Sequence, residues 1–113
     1  MHLLTISRQS ERLIEKERVI NEVTTRFIRL READFTVRLR KEAIKQAEKE
    51  LKIVEFDYRR GRARNSEVVR AQNKLLDIKN RYEVALVQFK IARLSLDHYA
   101  GKLTIDKKGE WLR

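Results

Sequence analysis

The chain has 113 residues and a net charge of +10, with 39% charged and 42% hydrophobic residues, three glycines, no proline and no cysteine. That is too charged for a thick core and too regularly apolar for disorder, and it suits long, half-exposed helices in one small domain. It excludes a disulfide framework and a thiolate metal site, and no apolar run is long enough to span a bilayer. Met1-His2-Leu3-Leu4-Thr5-Ile6 is too short for the apolar part of a signal peptide, so the chain is expected to carry no export signal.

The first element reads as a helix over about 8–60, starting near Ser7 or Ser10. Val23, Leu30, Val37, Ile44, Leu51 and Tyr58 recur every seventh residue. Val19, Ala33, Ala47 and Val54 fill a companion stripe that Arg26 and Arg40 interrupt. Ile20, Phe27, Leu39 and Ala43 widen the apolar face. At ~1.5 Å rise per residue, such a helix is a rod of about 75–80 Å.

The tip follows at 61–65, within Tyr58-Arg59-Arg60-Gly61-Arg62-Ala63-Arg64-Asn65-Ser66-Glu67. Gly61 suits a helix stop, because the residue just past a helix end often takes positive φ. Asn65 and Ser66 suit the restart, their side-chain oxygens accepting from the first free N–H groups. Glu67 adds a negative charge to the new first turn, where the helix dipole favours it.

The second helix is expected over 66–100. Val68, Leu75, Tyr82, Phe89 and Leu96 sit seven apart, and Ala71, Ile78, Ala85, Ala92 and Tyr99 follow each by three. Five heptads with every a and d position apolar are a coiled-coil signal. The alanines let backbones approach closely. Val69, Leu76 and Leu86 add apolar surface beside the seam. Gly101 reads as a second stop, with Leu103 packing back on the last turn. In the tail, 101–113, Leu103-Thr104-Ile105 reads as a brief strand, Lys107-Lys108-Gly109 as a turn and Trp111 as loosely docked. The fold class is therefore all-α: a long, coiled-coil-like antiparallel hairpin, its first helix longer by roughly fifteen to twenty residues. So thin a hairpin buries little by itself, so it is expected to oligomerise or join a larger helical assembly.

The positive charge is spread along both helices and mixed with acids. Glu22–Arg26, Glu48–Lys52 and Asp77–Arg81 have the spacing of i,i+4 pairs, which reads as a solvated surface. No catalytic signature is present: His2 is terminal, His98 lies beside the seam, and Glu48 and Glu50 point to different sides of a helix. No phosphate loop or nucleophile motif occurs. Neither enzymatic activity nor a cofactor or metal is expected.

Ala47-x-x-x-Leu51, Tyr58-x-x-Gly61, Glu67-Val68-Val69-x-Ala71-Gln72-x-x-Leu75 and Ala92…Leu96…Gly101-x-Leu103 stand in an order that resembles the C-terminal helical repeat of TolC-like outer-membrane efflux proteins. The likeness covers about residues 43–105. It implies a fragment of an efflux channel: one hairpin of a periplasmic α-barrel, in a homotrimer that also carries an outer-membrane β-barrel. It places the turn at the periplasmic tunnel entrance, docking a membrane-fusion adaptor and, through it, an inner-membrane pump in the export of small molecules. Tyr58, Arg59, Arg60, Gly61, Arg62, Arg64 and Glu67 would form that adaptor-facing tip. Arg70, Ser66 and Ala63 depart from the family pattern, so the usual entrance-locking salt bridge is not expected.

Two other readings fit the residues. A generic coiled-coil interaction or scaffold protein needs only the seam. A basic nucleic-acid-binding hairpin would use the tip arginines on phosphates, but no aromatic or base-reading residue interleaves them, so no nucleic acid is expected.

Overall fold

The computed structural model describes residues 2–108, with side chains described for 5–103. It contains two helices, α1 (His2–Arg59) and α2 (Asn65–Lys108), packed as an antiparallel hairpin with no strand among the described residues. Gly109 and Trp111, read from sequence as part of a turn and a docked side chain, lie outside the described residues.

The heptad pattern becomes the seam. From Val19 to Val54, every a and d residue of α1 is buried or half-buried, and the same holds on α2 from Val68 to Leu103. Burial is deepest where the side chain is small or β-branched: Val19, Ala47 and Ala85 are each 3% exposed and Val68 is 8% exposed. Ala47 and Ala85 are small enough at these positions to leave room for close approach. Tyr58 continues the seven-residue spacing but leaves the seam, at 47% exposed. It stands in the last turn of α1, next to the final residue Arg59.

Contacts divide the chain into two compact units, residues 32–89 and residues 1–31 with 90–113. In the unit containing the turn, the core is Ala47, Val68 and Ala85, and Lys74 Nζ donates to Glu50 Oε2 at 2.8 Å across the hairpin. In the unit containing the ends, Val19 is the buried residue. There Arg26, at a seam position, lies 5.3 Å over the Tyr99 ring and 3.5 Å from Glu22. Its Nε is buried without a hydrogen bond, so the Glu22 contact is a Coulomb attraction rather than an aligned bond. Coulomb attraction and the ring face together let a guanidinium occupy a place the pattern reserves for an apolar residue.

Both outer ends of the helices differ from the sequence reading. α1 begins at His2, ahead of Ser7 and Ser10. α2 runs through Gly101 to Lys108, so Gly101 is no stop and Leu103-Thr104-Ile105 is helix rather than strand. The reason is the seam: Leu103 stands seven residues after Leu96 and is half-buried, so the heptad outlasts the glycine. One glycine in a helix costs only about 1 kcal/mol. The helices measure 58 and 44 residues. Of the expected helix-surface pairs, Glu22–Arg26 and Asp77–Arg81 form at 3.5 and 3.1 Å. Glu48 and Lys52 do not pair among the described residues.

Candidate functional site

The turn is built from backbone hydrogen bonds. The Gly61 N–H donates to the Tyr58 carbonyl at 3.0 Å, and the Arg62 N–H to the Asp57 carbonyl at 2.8 Å. These are the two bonds of a Schellman motif, with Gly61 as the residue just past the helix end. Its φ is +74°, the only positive φ in the described chain. A Cβ built there would meet nothing within 4 Å, so the requirement for glycine comes from the backbone angle and not from crowding.

The restart differs in detail from the sequence reading. The Val68 N–H donates to the Arg64 carbonyl at 3.4 Å and the Glu67 N–H to the same oxygen at 3.0 Å. Arg64 is therefore the N-cap, and Asn65 and Ser66 are the first two helical residues. Neither side chain caps the helix among the described residues. Glu67 does sit in the first turn.

The named tip residues come together around this turn. Arg59, Arg60, Arg62, Arg64 and Glu67 are exposed, Tyr58 is partly so, and Gly61 lies open between them. Arg60 folds back, its guanidinium 4.4 Å over the Phe56 ring. Phe56 is 51% exposed and was not singled out in the sequence. The readable signal was its i,i+4 spacing from Arg60. Arg60 is thus committed to a ring, and among the described residues no ion pair is made by Arg59, Arg62 or Arg64. The surface presented is a cluster of solvated guanidiniums, suited to carboxylates or carbonyls.

Among the described residues no group of His, Asp and Glu is placed to hold a metal ion, and no helix is long and apolar enough to cross a membrane. His98 is exposed and sits edge-on to Tyr99, ring centroids 5.3 Å apart. No protein-family model, curated protein or solved structure matches this chain.

Proposed function

We propose that the chain is a helical-hairpin assembly module of the outer-membrane efflux-channel type, whose tip docks a membrane-fusion adaptor in the periplasm during small-molecule export. The observation that carries this reading is the tip: a hydrogen-bonded Schellman turn at Tyr58-x-x-Gly61 beside exposed arginines that make no ion pair among the described residues. A hairpin end of this kind is a preformed surface, so docking it requires little ordering of the backbone. Trimer formation would use the apolar side chains on the outer faces of both helices, such as Ile20, Phe27, Val69 and Leu76, which the hairpin leaves exposed. A scaffold role, needing only the seam and these faces, is the second reading.

The two readings separate at the tip. Arg62→Glu combined with Arg64→Glu reverses its charge without touching the seam. In cells holding channel and adaptor, the double variant is expected to lose severalfold in tip-to-adaptor crosslinking, while circular dichroism of the purified chain stays unchanged. Undiminished crosslinking would reduce the tip to a connector and leave the scaffold reading.

A further inference from the structure

Arg40 occupies a seam position of α1, as Arg26 does, but without compensation. Arg26 has Glu22 and the Tyr99 ring. Arg40 is half-buried, and among the described residues it has no ion pair, hydrogen bond or ring contact. Across from it a niche of about 310 Å³ opens between the helices, lined by Arg40, Asn80, Arg81, Val84, Ala85 and Gln88. Arg81 pairs with Asp77 at 3.1 Å through its Nε, which leaves its terminal N–H groups free to donate.

Register shows what is missing. Glu50 meets Lys74 across one flank of the hairpin. One heptad along, the same register sets residue 43 opposite residue 81. Position 43 is alanine, so where a second carboxylate would stand between Arg81 and Arg40 there is only a methyl group. Ala85 in the floor is equally small, and Val84 gives one wall an apolar surface. Arg40 has no counter-charge among the described residues, and a carboxylate brought from outside would form charge-assisted hydrogen bonds with it.

We propose that this niche is a carboxylate-binding site, taking an anion with a short apolar stem between the guanidiniums of Arg40 and Arg81. The stem lies on Val84 and Ala85, and the amides of Asn80 and Gln88 complete the hydrogen bonds. A free short-chain organic acid and a glutamate side chain of a second copy share this chemistry. The site is independent of the tip and of what the tip docks.

The test uses the full chain labelled with ¹⁵N, read at the arginine side-chain N–H resonances, and titrated with butyrate against chloride at equal ionic strength. Sedimentation velocity is run in parallel. Two variants accompany it. Arg40→Gln removes the cation, and Ala43→Glu supplies the carboxylate from within the chain. If the occupant is free, butyrate gives a saturable shift confined to Arg40 and Arg81. Either variant then weakens that response about tenfold or more. If the occupant is a glutamate of a second copy, butyrate gives no saturable shift, and self-association moves to higher concentration in both variants. If the occupant is free, Ala43→Glu also raises Tm by a few degrees. The proposal is overturned if butyrate shifts all arginines alike, if both readouts are indifferent to the two variants, or if Ala43→Glu lowers Tm where butyrate binds saturably.

Discussion

At the scale of single residues, Gly61 and the two seam arginines carry the information that a hydrophobic pattern does not. Gly61 holds φ at +74° in open space. An alanine there is strained by the backbone alone, so Gly61→Ala is expected to lower stability by about 1–2 kcal/mol, and Gly61→Asn by less, because asparagine visits the left-handed region more readily. Thermal melts at one fixed protein concentration check the order Gly, Asn, Ala. Equal melts for all three would mean that the turn relaxes out of the Schellman geometry. The glycine's role was legible because arginines and an apolar-pattern break surround it. The cap was not: Asn65 and Ser66 have the right chemistry, but the chain re-enters the helix one residue earlier, at Arg64. Arg26 and Arg40 were visible as interruptions, yet their different fates were not. Each depends on what the opposite helix offers, a tyrosine to one and an alanine-floored niche to the other.

At the scale of elements, the seam decides where helices continue. Gly61 and Gly101 both look like stops when read locally. α1 stops at the first because the heptad phase breaks between Tyr58 and Val68, whereas α2 crosses the second because Leu103 keeps the phase of Leu96. Gly101 is therefore an ordinary helical residue, with room for a Cβ. Gly101→Ala is expected to stabilise by about 0.5–1 kcal/mol, opposite in sign to the same change at position 61. Circular dichroism melts of the two variants side by side test the pair of signs; a destabilised Gly101→Ala would contradict a helix running through that position. The fold class and the seam were legible from periodicity, since both depend on patterns repeated over many turns. The end of α2 was not, because one distant leucine outweighs a nearby glycine, and local turn rules do not weigh the two.

At the scale of the whole molecule, burial is thin. The accessible surface is 9508 Å², where a compact monomer of 13.6 kDa exposes about 6,600 Å². Ile6, Leu13, Ile20 and Phe27 stand seven apart on α1 and are all exposed; on α2, Val84, Val87, Ile91 and Leu94 are exposed at the spacing of a second seam. Chains that expose apolar stripes on this scale tend to cover them. Sedimentation velocity across a concentration series is expected to show self-association with helicity rising in step. Leu13→Lys combined with Phe27→Lys should shift that association to higher concentration, and a monomer whose melt is independent of concentration would refute it.

The turn also governs the order in which the hairpin is made. Glu50 and Lys74 are separated by 24 residues of sequence, whereas Arg26 and Tyr99 lie at opposite ends of a loop about three times longer. Closing the longer loop directly costs about 1 kcal/mol more in chain entropy than closing the shorter one. Contacts next to the Schellman turn therefore form at the lowest entropic cost, and each one shortens the loop that the next must close. This order of loop costs favours a zipper from Gly61 outward. In a zipper of that order, the segment that presents the arginines is the first to acquire its native geometry and the last to lose it.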